Sequence, residues 1–393
     1  MDFNAGEALK IARALSFPRA VGSGGEELAA SIIEKKLIDS GYLPEREEFF
    51  ISLTPWSIMK GFIFFAVLLL IGARGLATFS PVTSGILVLA LVIFLAFYTS
   101  FWLKFLGSET ISQWLIGRNK KGPFKRSQNI MATLPAREKA EQNLYLVAHY
   151  DSKSQSLPLL MRAFFLFLSG LASLWLGFSY LCSSKETLSF FLSWRVDFPL
   201  ALAILGMIPL LLLKTSNRSP GGLDNAGSLG ILLHLTEVLK QKRPLHSRVT
   251  FLFPGAEELG LQGACAYLQK HKHEIEKERS YFLNLDSVGV MGATRIFFRK
   301  GALPIGREPL FVSRMKEIAR PFGIGRGSFS FGIMMDHQAF LEKGYPAVSL
   351  ASASRKVLKV HTARDTADQL EEEGMEEVAK FILAWIQSWE KTD

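Results

Sequence analysis

Five residues of metal-ligand type stand just past short apolar runs in this chain: His149, Asp224, Glu258, Asp286 and His361. Imidazole and carboxylate are donors that zinc and other divalent ions accept, and two ions sharing one carboxylate need five protein donors. Each residue alone says little. Together, in their local contexts, they point to a two-metal hydrolase site.

Every context carries a competing reading. Asn143–Ala148 reads as a buried strand, and ligands of α/β sheets bind beyond the carboxyl ends of strands. His149 is thus placed for a metal, with Asp151 as acceptor for its other ring nitrogen, against a turn or helix-cap reading. Asp224 precedes a helical stretch, so it is either a cap or a ligand bridging two metals through both oxygens. Phe251–Phe253 ends in Pro254–Gly255 and then presents Glu257 and Glu258. A solvated charge pair is the plain alternative. Adjacent side chains point different ways, however, so Glu258 is expected to bind metal while Glu257 acts as general base. The base would address a metal-bound water, whose pKa falls to roughly 7.

Asp286 closes the run Leu283–Leu285, and His361 follows the run Ala347–Leu350. Asp365 and Thr366 either hold the loop that presents His361 or cap the final helix. Asp336 and His337 are expected to line the substrate pocket, with a helix cap as the alternative for Asp336. Among the other histidines, His234 reads as core, while His246, His271 and His273 lie in polar surroundings. His271–Glu274 lacks the second histidine of a His-Glu-x-x-His helix.

These residues need a scaffold, and the sequence predicts an α/β one. Asn143–Ala148, Arg248–Phe253, Tyr281–Leu285 and Ala347–Leu350 have strand length. Glu26–Ser40, Ala226–Gln241, Glu257–His271, Pro309–Ala319 and Asp368–Trp389 read as helices. Such alternation implies a mixed, largely parallel sheet sandwiched by helices.

Four long apolar stretches interrupt this pattern: about Trp56–Ala77, Val82–Leu103, Leu157–Leu181 and Phe198–Leu213. Crossing a bilayer takes about 20 apolar residues, so the first three qualify and the fourth, with Pro199 and Pro209, falls short. The alternative is a buried core helix. The stretches pair into two hairpins through Thr78–Pro81 and Ser183–Asp197. The expected order is peptidase-type segments at 1–55, 107–156 and 214–393, with transmembrane hairpins at 56–106 and 157–213. All three soluble segments then share one side. That side carries Lys60, Lys104, Arg118, Lys120, Lys121, Lys125, Arg126, Lys214 and Arg218, against Arg74, Lys185 and Arg195 opposite. The positive-inside rule puts the soluble part in the cytoplasm, at a bacterial inner membrane.

Composition agrees. Of 393 residues, 49% are apolar and 31 are Phe, and mean hydropathy is positive. The net charge of +9 gathers beside the apolar stretches without interleaved aromatics, so nucleic acid is not an expected partner. Two cysteines, Cys182 and Cys265, leave no disulfide framework. Met1–Ile51 is amphipathic and reads as unlike a signal peptide.

The ordered set His149–Tyr–Asp151–Ser, Gly222–Leu–Asp224–Asn225, Glu257–Glu258–x–Gly260–Leu, Asn284–Leu–Asp286 and His361–Thr–x–x–Asp365–Thr resembles the M28 family of zinc aminopeptidases and carboxypeptidases. Pro18–Arg19–x–x–Gly22–Ser23 and Asp336–His337–x–x–Phe340 resemble it as well. The resemblance implies the zinc-exopeptidase fold, a peptide substrate and two Zn²⁺, with other divalent metals as alternatives. It implies one zinc on His149 and Asp286, the other on Glu258 and His361, and Asp224 bridging them. Glu257 would deprotonate the bridging water and Asp151 would orient His149. The departures are the inserted apolar pairs, which make this a membrane-integrated variant, and Met335, where relatives often have Ser. Two other functions stay open: a glutaminyl cyclase-like single-zinc acyltransferase, and a catalytically silent membrane receptor or scaffold.

Overall fold

Alternation along single strands builds the sheet. In Gln142–Val147, Leu144 and Leu146 pack into one apolar cluster while Tyr145 and Val147 pack into another. Successive side chains of a strand point to opposite faces, so both faces of this strand need cover. The computed structural model describes residues 2–52, 54–101, 124–183, 193–299, 308–327 and 334–390. The chain divides into two compact units. One comprises Met1–Ser52, Leu103–Ser154 and Ser216–Asp393; the other comprises Leu53–Trp102 and Gln155–Thr215.

The first unit holds an eight-stranded sheet. Its strands are β1 (Glu45–Ser52), β2 (Phe124–Leu134), β3 (Gln142–Val147), β4 (Ser247–Phe253), β5 (Ser280–Asp286), β6 (Thr294–Phe297), β7 (Gly325–Arg326) and β8 (Ala347–Ser352). The order is β1-β2-β4-β3-β5-β8-β6-β7. The central four, β4-β3-β5-β8, run parallel. The pairs β1–β2, β2–β4 and β8–β6 are antiparallel, so the sheet is mixed and parallel where the site lies.

One face packs against helices Ala5–Ala14, Gly227–Gln241 and Glu372–Gln387, with Phe251, Phe381 and Trp385 in that core. On the other face Tyr145, Phe282 and Phe340 stack in series, with ring centroids 4.3 and 4.1 Å apart.

Several expected boundaries move. The helix expected over Glu257–His271 is instead a 3₁₀ turn, Glu257–Leu259, followed by a helix at Gln262–His271. Left-handed Gly260 and Leu261 make the break. The final helix begins at Glu372, because Ala367–Gln369 forms a separate turn. β1 and β2 were not expected: the charges of Glu45–Glu48 hide the alternation of an edge strand.

The second unit consists of helices Thr54–Leu76, Pro81–Phe101, Leu159–Leu181 and Ser193–Leu211. Small residues occupy its contacts. A Cβ on Gly206 would lie 2.3 Å from Ser169 Oγ, and one on Gly85 2.9 Å from the Gly177 carbonyl. Among the described residues, Met59–Leu76, Leu159–Leu181 and Trp194–Leu211 are long and apolar enough to cross a membrane, and Pro81–Leu95 is a shorter apolar helix.

The fourth stretch therefore has the length its apolar residues alone lacked, which corrects the expected connection Ser183–Asp197. Its helix reaches back to Ser193 because the charges there have partners. Asp197 pairs with Arg74 at 2.6 Å, and the Arg195 guanidinium lies 5.6 Å from the Trp194 ring centroid. Lys104, Arg118, Lys120, Lys121, Lys185, Glu186 and the end of the second stretch lie outside the described residues.

Candidate metal centre

The site lies where the four parallel strands end. His149 comes two residues after β3, Glu257 and Glu258 four and five after β4, Asp286 at the end of β5, and His361 in the connection after β8. Parallel strands carry their carboxyl ends to one edge, which is why residues so distant in sequence meet.

Asp224 arrives from a loop that the N-terminal segment holds in place. The buried Arg19 guanidinium donates to the carbonyls of Tyr150 (2.7 Å), Pro220 (2.7 Å), Gly221 (3.1 Å), Phe17 (3.0 Å) and Leu15. Ser152 Oγ accepts from Arg19 N at 3.0 Å and donates to Ser219 O at 3.1 Å. One arginine thus ties the His149 loop to the Asp224 loop. The sequence marked Arg19 as a point of family resemblance but gave it no role. Gly222 packs so closely on Thr366 that a Cβ would come within 2.1 Å of its backbone.

Asp224 does not cap the following helix, whose N-cap is Ala226 without a side-chain bond. Its Oδ1 lies 3.2 Å from His149 Nε2 and its Oδ2 3.2 Å from His361 Nε2. Asp365 holds the Asp224 loop, accepting from Leu223 N at 2.7 Å and Asp224 N at 3.3 Å. Asp151 lies 3.6 Å from His149 Nδ1 through its carboxylate and 3.2 Å through its carbonyl. The Asp151 carboxylate accepts the backbone N–H groups of Glu257 (3.0 Å) and Glu258 (3.1 Å), fixing the turn that presents both acids. Asp336 makes no side-chain cap. Fully buried, it has no hydrogen-bond partner on either oxygen among the described residues. His337 is fully buried, with Nδ1 2.6 Å from Ser349 Oγ and Nε2 3.3 Å from Arg299 O. Donation from Nε2 to that carbonyl makes Nδ1 the acceptor from Ser349.

Two groups of donors result: His149, Asp224 and Asp286, and Asp224, Glu258 and His361, with the atoms of each group within 4.8 Å of one another. Asp224 belongs to both. Glu257 Oε2 lies 3.9 Å from His149 Nε2. Four non-glycine residues with left-handed backbone, Ala256, Leu261, Ser287 and His361, lie in or beside these loops, as strained residues do at functional sites.

The packed charges set one another's protonation. Burial, with Asp224 and Glu258 nearby, pushes Asp286 up to about 7. Burial, with Glu258, Asp286 and Asp336 nearby, holds Glu257 well above the usual glutamate range, although His149 pulls it down. Burial likewise raises Asp336 to about 8 and lowers His337 to about 3. Burial disfavours the charged form of Glu258 too, but His361 and Lys153 bring it down to about 2. Burial opposes charge on His149 and His361, and is overcome mainly by Glu257 and Glu258 respectively, so both are raised.

His149 Nε2 and Glu258 Oε1 are buried without a hydrogen bond among the described residues. Buried polar atoms ordinarily have partners, and mutually repelling acids invite a cation. Both groups offer imidazole nitrogen and carboxylate oxygen, the donor chemistry of zinc.

Residues 202–386 match the description "Peptidase family M28". Over this region the chain is similar to peptidase family M28. Asp224, Glu258, Asp286 and His361 lie inside the match; His149 lies upstream, before the second pair of helices. Human endoplasmic reticulum metallopeptidase 1 is 29% identical over 183 residues, 45% of this chain and 20% of that protein. Aminopeptidase YwaD of Bacillus subtilis is 28% identical over 173 residues, 43% of this chain and 37% of that protein. These matches thus span well under half the length of either relative. A zinc aminopeptidase from Bacillus subtilis superposes with TM-score 0.56 at 14% identity, covering 100% of this chain and 96% of that one. An Acidobacteriales glutaminyl cyclase gives 0.56 at 14%, covering 99% and 96%. Both share this chain's fold.

Proposed function

We propose that this M28 protein is a membrane-integrated exopeptidase that holds two zinc ions and removes residues from the N-termini of peptides. The observation that carries the reading is Asp224, whose two oxygens face different histidines at 3.2 Å each. His149 and Asp286 would hold one ion and Glu258 and His361 the other, with Asp224 shared. Such ions supply Lewis acidity toward a scissile carbonyl and acidify bound water.

The chain's own groups do the rest. Glu257, buried and raised, accepts the proton of the attacking water and passes it to the departing amine. Asp151 keeps Glu257 and Glu258 apart in direction through their backbone N–H groups. Asp336 is the pocket group available to a polar part of the substrate. His337, occupied by Ser349 and Arg299, shapes the wall.

The four apolar helices cross a bilayer as two hairpins, with the sheet-bearing unit on the cytoplasmic side. A reporter active only outside the cytoplasm, fused at the C-terminus, is expected to stay silent; activity would reverse the orientation.

The function is tested with full-length protein in detergent, supplied with zinc, against aminoacyl nitroanilides and short peptides. Release of the N-terminal residue is expected, lost in Glu257→Gln with zinc content unchanged. Failure to cleave either substrate class would overturn the proposal. Cyclase chemistry on this fold would appear instead as ammonia released from peptides with N-terminal glutamine.

A further inference from the structure

Lys153 makes the two donor groups unequal. Its ammonium lies 2.6 Å from Glu258 Oε2 and donates to the Glu258 carbonyl at 3.2 Å. The side chain is only 16% exposed. The backbone that carries it is anchored, because the preceding Ser152 is hydrogen-bonded through both backbone and side chain to Arg19.

Among the described residues the other group has no counterpart. Asp286 has Ser287 Oγ at 3.1 Å, a neutral hydroxyl. Each group counts two carboxylates and one imidazole, but among the described residues only the Asp224–Glu258–His361 group also carries an ammonium against one of its carboxylates. That ammonium sits on Glu258 Oε2 while Oε1 faces His361 Nε2 at 3.1 Å, and its charge is felt at His361 as well. Arg19, the other buried cation nearby, gives the side-chain hydrogen bonds described above to backbone carbonyls.

A divalent ion entering the Asp224–Glu258–His361 group must approach a fixed positive charge at short range, where the interior screens weakly. Lys153 also competes for the same carboxylate. We propose that Lys153 is a built-in gate on metal loading. The His149–Asp224–Asp286 group fills first and tightly, and the Asp224–Glu258–His361 group fills second and exchanges readily. The inference rests on the two-zinc reading above.

Full-length protein stripped of metal is titrated with Zn²⁺ against a competing chelator at one fixed pH, with heat and bound-metal content as readouts. Two classes of affinity are expected, with His149→Ala removing the tight class and His361→Ala the weak one. Lys153→Met is expected to strengthen the weak class by at least about tenfold and leave the tight class unchanged. Lys153→Arg, which keeps the charge, is expected to retain the wild-type gap and serves as the control for folding. Indistinguishable affinities in the wild type would overturn the inference while leaving the two-zinc reading intact. So would a weak class unmoved or weakened in Lys153→Met. No zinc bound at any concentration would overturn both.

Discussion

In the sheet-bearing unit the largest side chains are the best hidden: Phe251, Phe253 and Phe282 are fully buried, and Trp385 is 1% exposed. In the helical unit Ala66, Ala73, Ala172 and Ala203 fill much of the interior, while Phe64, Phe167 and Phe178 turn outward, each more than half exposed. Water drives large apolar groups together in the first case. In the second, close approach of backbones at small residues does the packing, as expected for helices surrounded by lipid. Charge follows the same division. The first unit buries acids and imidazoles together at strand ends, whereas the second pairs Arg74 with Asp197 near helix ends. The difference teaches that the two units are packed by different rules, as the proposed membrane reading requires, and that the clustered acids and imidazoles belong to the unit that buries charge.

The sharpest way to break this comparison is Glu257→Gln. It is expected to lower kcat by roughly a hundred- to ten-thousand-fold, with helicity and membrane fractionation unchanged. Next, Asp224→Ala removes the shared donor, and metal analysis after dialysis is expected to find both ions lost or weakly held. Third, Phe167→Lys places a charge on an outward face of the helical unit, at a cost of about 2.5–3.5 kcal/mol for insertion if central in the bilayer. Membrane fractionation is expected to show the loss. Leu43→Lys, at a position 91% exposed in the sheet-bearing unit, is expected to change nothing. Equal effects of these two substitutions would dissolve the contrast. Fourth, Gly206→Leu forces a side chain against Ser169 and the Phe165 carbonyl and is expected to destabilise the helical unit by about 1–3 kcal/mol, read as a lower melting temperature in detergent.

The smallest effect concerns pH. Asp286 retains its proton up to about 7, so a metal must displace it below that value. Zinc affinity is expected to rise with pH through 7 and to keep rising above it, because His149 and His361, both raised, must also lose their protons to bind, as seen by titration at several pH values.

Much of the site was legible because strand ends and carboxylates share a local grammar. Short apolar runs before His149, Glu258 and Asp286 are the central parallel strands, and their ends converge as the crossover rule demands. The sequence could not say whether Asp224 caps the following helix or faces the two histidines. That depends on Asp365, more than a hundred residues away, taking the backbone N–H groups of its loop. Nor could it give Arg19 or Lys153 a task, since a cation's role depends on which carbonyls or carboxylates the fold brings to it. β1 was missed because edge strands carry charge, and the full fourth helix because Arg195 and Asp197 look like loop residues until their partners are known.

The position of the second pair of helices has a consequence for how the protein is made. The donors leave the ribosome in the order His149, Asp224, Glu258, Asp286, His361, with an entire pair of apolar helices between the first two. The trio containing His149 closes only with Asp286, and the other only with His361. On the proposed two-zinc reading, metal capture would be a late step in biosynthesis, after the second pair of apolar helices has been synthesised. A nascent chain interrupted before that point carries a lone imidazole and no trap for zinc.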